Sequence, residues 1–358
     1  MAEHLITKTG HLLDAQGSLR EPGYALRPPF EYRHADIVAP AARIKDWDYY
    51  LVNDERYALA LTFSDLGYIG LVSASIIDFD ARDFTTTSEF VLMPMGRMGL
   101  PASSDTGDVS WSNRRCKVSF AHVGKAGEPG HARRLSFSMK RFDNRDELEA
   151  ELLLFDDPRD SMVICTPWDE DPNAFYYNRK IVGMKARGGF RVGSLFHEFS
   201  AAEDAEDGPA LGLLDWGRGV WTYENVWYWG VGHGYQNGHL VGINLGYGFG
   251  NTSAASENMV FVDGIAHKLG RLGFGIPKTT LGDFDYMSPW FINDDAGSID
   301  LRFNPEIDRS DYTDIAGFIT TDQHQVFGKL TGTVTLEDGS VLELSSLPAA
   351  CERVHNRY

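Results

Sequence analysis

The chain has 358 residues, 43% apolar and 12% aromatic, enough for an extensive core in two domains or one large β-rich one. Its net charge of −18 excludes a nucleic-acid groove, which needs clustered Lys and Arg to displace counterions from phosphates. No run approaches the roughly 18 apolar residues of a membrane-spanning helix, so no membrane span is expected.

From the N-terminus, Met1 to Gly10 lacks a basic segment followed by an apolar one, so no signal peptide is expected. Residues 48–64 read as two strands around the polar Asn53-Asp54-Glu55 turn, and Leu71 to Phe79 as a third. Leu135 to Phe142 alternates cleanly. Alternation resumes at Leu148, Ala150, Leu152 and Leu154 after the Asp143 to Asp146 turn, which predicts a hairpin. Pro and acidic residues cluster at Thr166 to Pro172, and the boundary between an N-terminal unit, 1–170, and a C-terminal unit, 171–358, is expected there. Ala201 to Gly208 reads as a surface loop or short helix. Asp263-Gly264 and Asp338-Gly339 each sit between strand-like runs and predict tight hairpins. Segments with a 3.6-residue period are scarce. The expected fold class is all-β and mostly antiparallel, with two barrel-like units and few short helices; closure would remove exposed edge strands.

Cys116, Cys165 and Cys351 are odd in number and far apart, as reduced thiols of a cytoplasmic protein would be. No CxxC or HExxH occurs, so neither a metal nor a cofactor is expected. The glycine runs Gly230 to Gly234 and Gly246 to Gly250 lack dinucleotide-loop spacing and suit strands that bend close to a ring or ligand.

The densest chemistry lies between Asp215 and Asn258, which holds four of the eight tryptophans. Trp216, Trp221, Trp227 and Trp229 are candidate ligand-binding walls, with filling of a barrel interior as the alternative. Trp227 and Trp229 share a strand face, with Glu224 placed near the rim if that face lines a cavity. Asp215 and Glu224 are the candidate acids, since a carboxyl among indoles loses hydration and keeps its proton at higher pH. Arg218 either anchors a ligand or neutralises Asp215. His233, between glycines, is expected on an exposed loop as a candidate base, with a merely solvated histidine as the alternative. Tyr176, Asn178, Asn244, Glu257 and Asn258 are candidate polar contacts, with capping and turn hydrogen bonds as the alternative for the last two.

Phe175-Tyr-Tyr-Asn178, Leu214 to Trp221, Asn244 to Gly250, Thr252 to Met259 and Val354-His-Asn-Arg357 resemble the uncharacterised family termed domain of unknown function 2804, over nearly the whole chain. More remotely, two linked barrel-like units with aromatic interiors are similar to the lipocalin-like group of carotenoid hydratases and tocopherol cyclases. That resemblance implies a cavity for a hydrophobic or amphipathic small molecule and cofactor-free acid chemistry: hydration, isomerisation or cyclisation. A non-catalytic carrier and a carbohydrate-active β-sandwich are the competing expectations.

Overall fold

The computed structural model describes residues 3–156, 160–315 and 319–357. Among these, helix is limited to the short 3-10 turns His34–Asp36 and Ala41–Arg43, and no helix is long and apolar enough to cross a membrane. The strands pair almost wholly antiparallel, in two sheets curled into barrel-like units as expected; Gly10–His11 pairs with Phe30–Glu31 in parallel.

The first sheet has 13 strands. Its principal path runs from the edge strand Asp83–Leu92 through Ile69–Asp78, Tyr57–Asp65, Ile44–Asn53 and Leu211–Val220. It continues through Phe175–Val192 and Asp146–Phe155 to Val109–Ser112 at the other edge. The two edges are tied through the Asn113 to Arg115 turn: Arg115 Nη1 lies 3.2 Å from Glu89 Oε2, and Asn113 Nδ2 donates to Glu89 Oε1 at 3.0 Å. The second sheet has nine strands, from Ile265–Lys268 to Leu272–Gly275, with Glu224–Gln236, Val341–Arg357 and Ile319–Thr335 at its centre. Its edge strands are neighbours in sequence, which curls the sheet back on itself.

The expected hairpins form. Asp143 and Asn144 take φ of 50° and 60°, and Asp263-Gly264 takes 50° and 77°. The Asp263-Gly264 pair matches the twist of a two-residue connection, while Phe142 pairs with Asp146 across a three-residue turn. A further tight turn at Asn237-Gly238, φ 52° and 83°, joins Glu224–Gln236 to His239–Tyr247.

The Thr166 to Pro172 segment is the turn between Met162–Pro167 and Phe175–Val192, two strands paired in the same sheet. The passage from one sheet to the other comes instead between Val220 and Glu224. Residue 170/171 therefore falls within the first unit's hydrogen bonding.

Burial explains two kinds of strand pattern. Asp146–Phe155 alternates because one face fills the first barrel and the other meets solvent. Tyr57–Asp65 is apolar on both faces because its inner side fills the barrel while its outer side packs on the second sheet. Three cores result: Tyr50, Phe63, Leu135 and Trp216 belong to the first barrel's interior, and Trp290, Phe303 and Leu330 to the second's. Leu51, Leu213, Trp229 and Phe327 belong to the layer between them. The three cysteines are free and buried.

Candidate functional site

The layer between the barrels is incompletely filled and leaves a cavity of about 630 Å³. Period-two geometry decides what faces it. On Leu211–Val220, Asp215 points to the cavity while Trp216 points into the first barrel. On Phe175–Val192, Tyr176 and Lys180 share the cavity side, and on Glu224–Gln236, Trp227 and Trp229 do. The loop residues Trp221, Phe249 and Glu257 complete that wall. Toward the edge strand Asp83–Leu92 the lining becomes hydroxylic, with Ser73, Thr86 and Ser88.

The aromatic wall is mutually braced. Trp47 stacks on Tyr176 with centroids 5.8 Å apart, and Trp221 meets Trp47 edge-on at 5.2 Å. Phe249 is edge-on to Trp221 at 4.8 Å and to Trp227 at 5.1 Å. Gly217 makes this possible, because a Cβ there would lie 1.9 Å from Trp47 Cζ2.

Charges meet this wall at Lys180. Its Nζ lies 2.9 Å from Asp215 Oδ1, 3.9 Å from Glu257 Oε2, and 4.5 Å from the Trp229 ring centroid. Asn178 Nδ2 donates to Asp215 Oδ1 at 2.6 Å, so one oxygen of Asp215 carries both contacts. Glu257 accepts from Asn244 Nδ2 through Oε2 at 3.3 Å, and its Oε1 has no hydrogen bond among the described residues. Burial raises the Glu257 pKa above the ordinary carboxyl value; Lys180 opposes the rise and Asp215 adds to it. Glu352 is likewise raised, first by burial, with the Trp227 N–H opposing. Tyr49 is pushed up to about 12 by burial, so its phenol stays neutral.

Glu352 belongs to an ordered relay. Trp227 Nε1 donates to its Oε1 at 3.0 Å and Gln325 Nε2 to its Oε2 at 3.2 Å. Arg309 Nη2, at 2.7 Å, and Tyr49 Oη, at 3.4 Å, donate to Gln325 Oε1, which fixes the amide with its NH₂ toward Glu352.

Of the residues singled out from sequence, Asp215, Glu257, Tyr176, Trp221, Trp227 and Trp229 meet at this cavity. Asn178 and Asn244 stand behind it: Asn178 holds Asp215, and Asn244 accepts from Trp229 Nε1 at 2.8 Å while donating to Glu257. The others lie elsewhere. Trp216 packs edge-on to Tyr177 inside the first barrel. Arg218, 0% exposed, does not neutralise Asp215; it donates to Asp48 at 3.0 Å and to the carbonyls of Trp47 and Pro101. Asn258 accepts from the Gly246 N–H and donates to the Gly270 carbonyl. Glu224 is exposed and pairs with His355 at 2.8 Å.

His233 is on a buried strand, not an exposed loop. Gly232 and Gly234 let that strand approach Pro348, Ala349 and Leu347, which draws the imidazole inward. Nε2 of His233 is 2.8 Å from Asn53 Oδ1, and burial pushes its pKa down to about 4. It borders a second cavity of about 500 Å³ in the same inter-barrel layer, with Asn53, Gln236 and Phe327.

Lys180, Glu352, Gln325, Arg309, Trp47 and Tyr49 were not singled out from sequence. Lys180 was within reach, since Tyr176, Asn178 and Lys180 alternate on one strand. Glu352 was not, because it reaches the site through the pairing of Trp229 with Glu352, 123 positions further along the chain, a register no local pattern encodes.

The family model described as domain of unknown function (DUF2804) matches residues 3–358. No curated protein matches the chain by sequence. Among solved structures, a putative AttH (NE1406) from Nitrosomonas europaea is similar at 10% identity and TM-score 0.50, covering 91% of this chain and 94% of its own. Kievitone hydratase from Nectria haematococca is similar at 10% identity and TM-score 0.47, covering 90% and 93%. CghA gives 10% identity and TM-score 0.38, covering 88% and 87%. At such identity the first of these likenesses is one of fold alone.

Proposed function

The chain belongs to the DUF2804 family, and we propose that it binds a hydrophobic or amphipathic small molecule in the inter-barrel cavity and transfers a proton to it. The observation that supports this reading is Glu257: a largely buried carboxyl with a raised pKa and an uncommitted Oε1, on the wall of an aromatic cavity. Asp215 is less suited to donate, because Lys180 and Asn178 hold it as an acceptor.

In the proposed step the Glu257 O–H bond breaks and its proton goes to an alkene carbon of the ligand. The positive charge left on the neighbouring carbon is stabilised by the faces of the indole rings. Return of a proton from an adjacent carbon to the Glu257 carboxylate completes an isomerisation. Alternatively, the oxygen of a water bonds to the cationic carbon and loses a proton to the Glu257 carboxylate, which completes a hydration and restores the acid.

The test is extraction of the purified protein, identification of the co-purified molecule by mass spectrometry, and incubation of that molecule with fresh protein. Glu257→Gln is expected to retain the ligand and slow its conversion by about 10²–10⁴-fold. Unchanged turnover in the variant would remove the acid role. A ligand recovered chemically unaltered by the wild type would leave a carrier, the second reading, which the same cavity serves.

A further inference from the structure

Among the described lining residues the acids Asp215, Glu257, Asp311 and Glu352 outnumber the bases Lys180 and Arg309. Lys180 is committed to Asp215, with Glu257 at longer range. Arg309 turns its guanidinium to Ser75 Oγ at 3.0 Å and to Gln325 rather than to a carboxylate. Glu352 takes part in no ion pair among the described residues, although its side chain is nearly buried.

The relay around Glu352 makes this imbalance meaningful. Both of its oxygens accept, one from Trp227 and one from a Gln325 amide whose orientation Arg309 and Tyr49 dictate. Two donors aimed at two oxygens favour the ionised carboxylate against the rise that burial imposes, and Lys180 and Arg309 help it only from beyond ion-pair distance, so an ionised Glu352 gains from a closer counter-charge. The protein places none in contact. Trp227, which bonds it, packs edge-on to Trp221 and Phe249 on the same cavity wall, and the negative faces of such rings attract cations.

We propose that the ligand carries a cationic nitrogen, an alkylammonium or quaternary ammonium head, seated between Glu352 and the rings of Trp221, Trp227 and Phe249. The proposal rests on the reading that the cavity holds an amphipathic molecule and adds the charge of its head group. It leaves Glu257 free as the proton donor, since the two carboxyls have separate partners. The alkyl part of such a molecule would run along the remaining aromatic and hydroxylic lining.

Three amphiphiles of one chain length test this by calorimetry on the full chain, below their micelle concentrations: octyltrimethylammonium, octyldimethylphosphine oxide and octyl sulfate. The ammonium probe is expected to bind about tenfold or more tighter than the neutral one, with the sulfate weakest. Glu352→Gln is expected to abolish that preference while retaining the neutral probe. Trp227→Phe, which keeps a ring face but removes the N–H, is expected to reduce it. Equal binding of neutral and ammonium probes to the wild type, or tighter binding of the sulfate, would overturn the cationic head group and leave the binding reading intact. Failure of all three probes to bind would overturn both. The wild-type series decides even if neither variant folds.

Discussion

Arg218 shows how a buried charge in an aromatic-rich segment can be structural. Its guanidinium donates to Asp48 and to three main-chain carbonyls, those of Trp47, Pro101 and Gly217. Burial raises the Asp48 pKa and Arg218 opposes it, so removal of Arg218 leaves a carboxyl stranded in the first barrel. Arg218→Met is expected to cost about 3–5 kcal/mol in denaturant unfolding. Ligand retention should persist in whatever fraction stays folded. Sequence alone left Arg218 open between ligand anchor and partner of Asp215, because adjacent strand residues look equivalent until their faces are assigned. Parity placed Trp227 and Trp229 on one wall, and both line the cavity. It could not show that Trp216 turns inward, since both faces of Leu211–Val220 are buried and no polar alternation marks them.

At the level of strands, the glycines act through what they admit. Gly217 lies on the cavity side of its strand, and the space a side chain would take is filled by the Trp47 indole. Gly217→Ala is expected to push Trp47 off its stack with Tyr176 and lower affinity for the co-purified ligand by about tenfold, measured by Trp fluorescence quenching. Affinity within twofold of wild type would show that Trp47 relocates without consequence. Within the glycine runs singled out from sequence, Gly230 lies against the Phe274 ring and Gly250 against the Trp168 ring. The hairpins were legible for a related reason: Asp-Gly pairs and period-two runs encode local geometry. The order of strands within each sheet was not, because Glu224–Gln236 pairs with Val341–Arg357 over more than a hundred residues.

For the whole molecule, the layer between the barrels is sensitive to acid. His233 sits there without charge, its folded pKa pushed down to about 4 against an ordinary value near 6.5. Between those values the unfolded chain binds the proton and the folded chain does not. Stability is therefore kept above about pH 6.5 and lost as pH falls toward 4, at up to about 1.4 kcal/mol per pH unit from this group. His122, also lowered to about 4 with burial as the first cause, is partly exposed and adds a smaller, solvent-screened slope from the first barrel. His233→Gln should flatten part of the decline in urea unfolding measured from pH 7 to 4.5. An unchanged slope would mean that the folded and unfolded chains bind the His233 proton alike.

The walls of the chamber are outward surfaces of shells whose closure is secured elsewhere, by Phe63 and Leu135 in one interior and Trp290 and Phe303 in the other. Hydroxyls such as Ser73, Thr86 and Ser88 can thus be exchanged for other side chains without unsettling either shell. Relatives sharing this architecture are free to diverge in what they accommodate while their scaffolds stay the same, with chemical selectivity and mechanical integrity written in different residues.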